Sequence, residues 1–234
     1  MTEDTLPSLD PSRKQQRGTT DKELVRAILA EGVIAHVAFV RDGWPVVLPF
    51  HYGVGDLGDG RGEQLVVHGS TGGRAFLDAA ASADGVPVSV CVSFNDALVL
   101  GRSTYETGAH YRGVVAYGRA RRVPRELTER ATDILMDHVI PGRRAEVRVA
   151  TAKENAQTAL LAIPLDHASA KVSNAGTGED PGDGEDRDVW AGVIPLRVSA
   201  GVPVPSAETR RPDELPPSVL AYLERHGTNR SSRQ

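Results

Sequence analysis

Short apolar runs, separated by turn-forming residues, follow one another along most of this 234-residue chain. In "VIAHVAFV" and "VPVSVCVSF" the apolar residues alternate, which is the period of a strand with one face toward a core. Arg41, Asp42 and Gly43 separate two such runs and are typical of a tight hairpin. Many short strands with few helices between them predict a mainly β protein, an antiparallel β-barrel with helical additions.

Helical periodicity interrupts this pattern at a few places. Thr20 and Glu23 have the spacing of a capping box, and a helical repeat of apolar residues follows until Gly32. A second helix is predicted directly after Arg74, and the period lengthens again between residues 124 and 162.

Three parts of the chain differ in composition. Residues 1–18 are polar and without periodicity, which predicts a flexible N-terminal arm. Residues 19–200 carry the strands and form one folded domain. Residues 201–234 are a C-terminal extension, expected to be disordered over its last ten residues, "RHGTNRSSRQ".

The charge balance excludes some classes of partner. A net charge of -4 and a pI near 6.0 give no electrostatic basis for binding nucleic acid or an anionic membrane surface. No stretch approaches the roughly 20 apolar residues of a membrane span, and the first residues lack the apolar segment of a secretory signal. A cytoplasmic location is expected.

The single cysteine and the seven histidines offer little conventional metal chemistry. Cys91 lies in an alternating strand, so we expect an inert core thiol, and His36, flanked by apolar residues, is expected to be a core histidine. No histidine pair has metal-ligand spacing on one element, so no metal site is predicted. His51 and His68 end neighbouring strands beside glycine-rich turns and are the histidines with functional potential.

Several well-known site motifs are missing from the sequence. It contains no G-x-G-x-x-G between strand and helix, no P-loop, no G-x-S-x-G and no H-E-x-x-H. The remaining candidate is "LVVHGSTGGR", a strand that ends in small residues before a helix. Ser70, Thr71, Arg74 and the amides between them suit a phosphomonoester, although a simple turn explains the segment about equally well. Similarly, "PVVLPFHYG" with Pro49 is either a strand that presents its backbone to a ligand or an ordinary edge strand.

The order of motifs resembles a known family. "RGTTDKELVRAILAEGVIAHVAFVRDGWPVVLPFHYG", "VVHGSTGGR", "ALVLGRSTYETGAHYRGVVAYGRARRV", "LDHASAKVS" and "VWAGVIPL" together look like the pyridoxamine 5'-phosphate oxidase-like flavoproteins, over about residues 17–198. Within them the chain is most similar to the branch containing nitroimidazole-resistance reductases. The resemblance implies an FMN-binding split β-barrel of antiparallel Greek-key type, a homodimer with FMN at the interface.

The resemblance also assigns residues to the flavin. It implies that the phosphate lies at the "HGSTGGR" corner and that the ring lies along the 47–50 strand with His68 close by. Because an imidazole can change charge near neutral pH, His68 is the expected catalytic residue, as the donor of a proton or a hydrogen bond. Residues 110–113 and Trp190 would approach the partner's cofactor. The cofactor-binding residues implied are Val47, Leu48, Pro49, Phe50, His68, Gly69, Ser70, Thr71, Arg74, Tyr111, Arg112 and Trp190.

Departures from the family pattern bear on the reaction. Gly108, Gly113 and Ser173 replace groups that could bind anions or substrate, and the C-terminal tail lacks the basic set of the true oxidase, so vitamin B6 oxidation is not expected. The expected function is an FMN-dependent oxidoreductase that reduces a small nitro-aromatic or quinone-like acceptor with electrons from a nicotinamide or deazaflavin donor. The alternative is a non-catalytic flavin- or haem-binding or sensing protein, with His51, His68 or His110 as the axial haem ligand.

An acidic loop is expected over residues 174–188. Six of its residues are acidic and one is basic. It is either a solvated connector or, because it lies between two segments that the resemblance places near the flavin, a loop that disfavours anionic acceptors.

Overall fold

The computed structural model describes residues 6–10, 17–177 and 187–227. Over these residues the chain forms nine strands and five α-helices. The strands are β1 (Gly18–Thr19), β2 (Ile34–Arg41), β3 (Trp44–Asp56), β4 (Glu63–Ser70), β5 (Val86–Leu100), β6 (Gly108–Arg122), β7 (Thr158–Pro164), β8 (Ala168–Ser173) and β9 (Gly192–Pro195). The helices are α1 (Lys22–Glu31), α2 (Arg74–Ala81), α3 (Thr128–Val139), α4 (Ala152–Gln157) and α5 (Pro217–His226).

The strands form one antiparallel sheet that closes on itself. Their order is β1-β8-β6-β7-β4-β3-β2-β5-β9. Strand β5 also pairs with β6, which closes the six strands β6-β7-β4-β3-β2-β5 into a ring. β6 pairs with β8 over residues 111–116 and with β7 only at 121–122, so the barrel is split along this strand. The predicted mainly antiparallel barrel with helical additions is confirmed.

Local sequence signals account for most element boundaries. Asp42 and Gly43 have φ angles of 50° and 80°, the left-handed values of a two-residue hairpin turn, so the predicted hairpin is confirmed. Helix α1 begins one residue later than predicted: its cap is Asp21, whose carboxylate accepts a hydrogen bond from the Glu23 amide at 2.9 Å. Thr20 is therefore not the cap, because the neighbouring aspartate offers a better acceptor.

Strand alternation decides which side chains enter the barrel core. In β2, Ala35, Val37 and Phe39 are buried, and His36 points to the opposite, outer face. Its cross-strand partner in β5, Cys91, is also exposed on the outer face. The predictions of a core histidine and a core thiol are both wrong, since residues flanked by core residues in a strand face away from the core.

Helix α3 covers part of the outer face of the barrel. A Cβ at Gly53 of β3 would lie 2.6 Å from the Ile134 carbonyl oxygen, so only glycine permits this approach of helix and sheet. The contact buries a second apolar cluster between α3 and the sheet, which includes Val66 and Leu160. The outer face of β2 and of the first half of β3 lies beyond this cluster.

A buried tyrosine joins α1 to the barrel, and it supports a stability prediction. Tyr52 is fully buried and donates a hydrogen bond to the Leu29 carbonyl at 2.6 Å, one of the last carbonyls of α1. We expect Tyr52→Phe to lower the free energy of unfolding by about 1–3 kcal/mol, because this carbonyl loses its partner. Urea denaturation measures the change. Tyr222→Phe removes a hydroxyl with no hydrogen bond in the described structure and should change stability by less than about 0.5 kcal/mol; equal losses in both variants would contradict the assignment.

The described part of the C-terminal extension contains a helix, α5. Glu146 accepts hydrogen bonds from the Ser218 amide at 2.8 Å and the Ser218 hydroxyl at 2.6 Å, and these bonds lower the pKa of the Glu146 carboxyl. Helix α5 continues through His226, so the first residues of "RHGTNRSSRQ" are helical, contrary to the expectation; residues 228–234 lie outside the described residues.

Most of the predicted acidic loop, residues 178–186, also lies outside the described residues. None of the helices described is long and apolar enough to cross a membrane.

Candidate functional site

The first half of β3 has an open backbone edge. The Tyr52 amide bonds the Val33 carbonyl on the β2 side, and hydrogen-bonded pairs alternate in an antiparallel ladder. The backbone groups of Val47, Pro49 and His51 therefore point away from β2. The pairing with β4 begins only at Tyr52, so among the described strands none covers this edge. Proline, which lacks an amide hydrogen, is tolerated at such an edge.

The "HGSTGGR" segment forms the corner between β4 and α2. The Gly73 amide bonds the Ser70 carbonyl at 2.9 Å, and the Gly72 amide lies 3.3 Å from the Ser70 hydroxyl. A Cβ at Gly69 would lie 2.3 Å from the Phe76 ring, so this glycine is required for the helix to pack against the strand. We name residues 69–74 the anion corner.

The start of α2 leaves backbone donors for a ligand. The helix has no side-chain cap, and within the described structure the amides of Arg74 and Ala75 have no hydrogen-bond acceptor. Ser70 is exposed and Thr71 is partly exposed beside them. Two hydroxyls and two amides at a helix N-terminus fit a phosphate.

Arg74 is accessible but already has a partner. Its Nε donates to Asp78 Oδ1 at 3.0 Å, and 64% of its side chain is exposed. An exposed ion pair of this kind contributes little to stability, so the guanidinium can turn toward a phosphate at low cost.

Two histidines lie side by side next to the open edge. The rings of His51 and His68 are nearly parallel, with centroids 6.5 Å apart. Both residues are exposed on the outer face, and His68 directly precedes the anion corner. Partial burial, and secondarily the charge of His51, lowers the pKa of His68, which favours a neutral imidazole with a nitrogen available to a proton or a metal.

Tyr111, Arg112 and Trp190 lie apart from the anion corner and the open edge. Across the sheet, the residue of β6 that is level with Val47 is Tyr117, through the pairs with Ala38 and Ser89. Tyr111 is six residues from Tyr117, which is about 20 Å along the strand. Trp190 lies over Gly192 at the far end of the β5–β6 hairpin. The structure brings residues 47–50 and 68–74 together, and it does not bring these three residues to them within one chain.

Arg112 is held by two carboxylates rather than open to solvent. Its guanidinium donates to both carboxylate oxygens of Asp96 at 2.8 and 3.0 Å and to both of Glu31 at 2.7 and 3.0 Å. These bonds raise the pKa of Arg112, and its guanidinium also lies over the Phe94 ring. Sequence reasoning missed both carboxylates because they lie 16 and 81 positions away along the chain.

The chain belongs to the pyridoxamine 5'-phosphate oxidase family, whose model matches residues 21–172. The family resemblance drawn from the sequence is thereby confirmed, and the chain has the fold of the flavin-binding proteins in this family. A comparison with curated proteins gives no match.

Two solved structures are similar over nearly their whole length. The FAD and heme binding protein from Mycobacterium smegmatis is 34% identical, with a TM-score of 0.79 over 88% of this chain and 97% of that one. The flavocytochrome Anf3 from Azotobacter vinelandii is 28% identical, with a TM-score of 0.79 over 92% of this chain and 99% of that one. A Bacteroides thetaiotaomicron protein assigned to 5-nitroimidazole antibiotic resistance is 17% identical, with a TM-score of 0.52 over 66% of this chain and 86% of that one, and shares the fold.

Proposed function

We propose that this protein is a redox protein that binds a flavin nucleotide and a haem on the outer face of its barrel. The observation that carries the proposal is the juxtaposition of the open β3 edge, the anion corner and the His51–His68 pair. The two similar structures named for flavin with haem, at 34% and 28% identity, support this pairing of cofactors.

The flavin is held at two places. The open edge of β3 offers the Val47 amide as a donor and the Val47 and Pro49 carbonyls as acceptors to the polar edge of the ring, and the anion corner binds the phosphate. A bound flavin supplies electron or hydride transfer, and the protein supplies binding and orientation. The corner suits the phosphate that FMN and FAD share, and likeness to the M. smegmatis protein favours FAD over the FMN expected from the sequence.

The haem is held by the histidine pair. An imidazole is the usual protein ligand to haem iron, and both His51 and His68 present an imidazole on the same face. Apolar side chains that a porphyrin would cover lie on this face: Ile34 is 36% exposed and Val47 is 57% exposed. His110 lies on β6, on the hairpin with Tyr111, and is the weaker candidate for the ligand.

With flavin bound, His68 is placed to hold a proton near the ring. It lies between the open edge and the anion corner, and its lowered pKa favours the neutral imidazole, which can accept a proton when His51 is the residue that holds the haem iron. We propose that this site, with a flavin bound, would serve electron transfer from a nicotinamide or deazaflavin donor to a small organic acceptor, in the cytoplasm.

A homodimer is proposed because apolar side chains remain exposed on the outer face beyond the part that the cofactors would cover. Val40 is 73% exposed and lies on the same face of β2 as Ile34, and Trp44, at the turn of the β2–β3 hairpin, is 75% exposed. A two-fold partner seated on this face would bring its Tyr111 hairpin toward the flavin, as the family resemblance implies. Apolar residues of β5 and β6 such as Val90 and Val114 are buried in the core and do not contribute to this face.

We expect light scattering to give the mass of two chains at micromolar concentration. Val47→Glu/Val40→Glu, which places charges on the proposed face, should give the mass of one chain. Leu77→Glu, an equally exposed apolar position on α2, is the control and should leave the dimer intact. A single-chain mass for the wild-type protein would contradict the dimer.

The cofactors are tested by absorption. The protein, purified and saturated with FAD and haemin, should show flavin bands near roughly 370 and 450 nm together with a Soret band. Chromatography of the heat-released flavin distinguishes FAD from FMN. Retention of neither chromophore after gel filtration would contradict the proposed function.

A further inference from the structure

We propose that Arg17, Lys171 and Tyr111 form an anion-binding subsite on the outer face of β6 and β8, remote from the anion corner of the same chain. Its existence is argued from geometry alone, and only the origin of its ligand rests on the proposed function.

The two cations are partly buried and have no carboxylate partner among the residues that the structure describes. Arg17 Nη1 donates to the hydroxyl of Ser173 at 3.1 Å, and Ser173 is 5% exposed. Lys171 Nζ lies 5.7 Å from the centre of the Tyr111 ring. In the described parts of the chain no carboxylate oxygen lies within 4.0 Å of either cation. Removing positive charge from water without a counter-charge costs free energy, which a bound anion would offset.

The sheet leaves space beside Lys171. Its Cα partners are glycines on both sides, Gly18 in β1 and Gly113 in β6, and the next partner in the row is Ser93 of β5. Because side chains of paired residues lie next to each other on one face, the lysine is flanked by bare backbone. This row forms a trough in which a ligand can approach the ammonium.

Strand register places the other two groups at the same trough. Arg17 directly precedes Gly18, and Tyr111 pairs with Ser173, the residue that the Arg17 guanidinium contacts. A guanidinium, an ammonium and a phenol hydroxyl are donors that together suit a phosphate or a carboxylate.

The neighbouring arginine serves as a contrast within the structure. Arg112, adjacent to Tyr111, has four hydrogen bonds to Asp96 and Glu31, so its charge is compensated inside the fold. Neither Arg17 nor Lys171 has a carboxylate partner within residues 6–10, 17–177 and 187–227, which distinguishes a ligand subsite from a structural ion pair.

The ligand carries a phosphate or carboxylate from one of three sources. In the proposed dimer the Tyr111 hairpin faces the partner's cofactors, so the anion is a flavin phosphate or a haem propionate of the partner. The third source is the phosphate or carboxylate of a separate small substrate.

The test uses Arg17→Gln/Lys171→Gln in the full-length protein. Dissociation constants are measured for FMN and FAD against riboflavin, for haemin against its dimethyl ester, and for inorganic pyrophosphate in protein saturated with flavin. Arg125→Gln/Lys153→Gln removes the same two charges from exposed positions and is the matched control. We expect at least one anionic ligand to bind roughly ten- to a hundredfold more weakly, with its neutral counterpart unchanged.

The pattern of weakened binding identifies the source of the anion. A loss for flavin nucleotides alone assigns the subsite to a flavin phosphate, a loss for haemin but not its ester to a propionate, and a loss for pyrophosphate alone to a separate substrate. If the dissociation constants of Arg17→Gln/Lys171→Gln equal those of the control variant for every ligand, the proposal is overturned. If wild-type protein binds neither flavin nor haem, the proposed function fails while the pyrophosphate measurement still decides the subsite. Lys171→Gln alone removes no hydrogen bond found in the described structure and keeps the test valid if the double variant does not fold.

Discussion

Replacing both His51 and His68 by alanine is expected to abolish haem binding. The two imidazoles are neighbours on the exposed outer face, and His68 has a lowered pKa that favours the neutral, ligating form. Loss of an axial ligand should weaken haem binding by more than about a hundredfold, because even residues that only support a metal ligand contribute roughly 10- to 100-fold. Titration with haemin, followed at the Soret band, measures the change.

Two other histidines provide controls for this experiment. His36 is exposed on the same outer face, and His110 lies on the distant hairpin, so His36→Ala and His110→Ala should bind haem like the wild type. Of the two single variants at 51 and 68, the one that removes the iron ligand should account for nearly all the loss. An undiminished Soret band in the His51→Ala/His68→Ala protein, or its loss in His110→Ala, would place the haem elsewhere.

Arg74→Ala is expected to weaken binding of flavin nucleotides by roughly ten- to a hundredfold, the effect of losing about 1.5–3 kcal/mol of charge-assisted hydrogen bonding to phosphate. Asp78 holds the arginine only by an exposed pair, which does not compete strongly with a phosphate. Quenching of flavin fluorescence gives the dissociation constants.

Riboflavin isolates the phosphate contribution, because it shares the ring and lacks the phosphate. It should bind Arg74→Ala and wild-type protein equally. Arg148→Ala, another exposed arginine in a pair with a glutamate, is the control for charge removal. If Arg74→Ala keeps the full affinity for both FMN and FAD, the phosphate does not lie at the anion corner.

Strand periodicity and turn chemistry made much of the fold predictable. The hairpin at Asp42–Gly43 and the helix after Arg74 follow from local signals, and local preference agrees with the final structure at both places. The anion corner was also recognisable from sequence, since its glycines and hydroxyls are contiguous. These features depend on residues only a few positions apart.

The sequence was a poorer guide to which face of a strand each side chain occupies. His36 lies between Ala35 and Val37, and apolar neighbours suggested burial, but in a strand those neighbours point the other way. The same error applied to Cys91. Alternation has to be counted from the residue itself rather than inferred from its surroundings.

Long-range pairs could not be predicted from one sequence. The contacts of Arg112 with Glu31 and of Arg17 with Ser173 join positions 81 and 156 residues apart, and only strand order brings them together. The side-by-side arrangement of His51 and His68 depends likewise on the pairing of β3 with β4.

Simultaneous binding of both cofactors is the most direct measurement. Cofactor-free full-length protein is titrated with FAD and with haemin, each in the absence and in the saturating presence of the other. If the open edge and anion corner hold the flavin while the histidine pair holds the haem, each cofactor binds at one equivalent per chain and neither expels the other. Displacement of FAD by haemin, or failure of either cofactor to bind, would contradict a shared outer face that carries both.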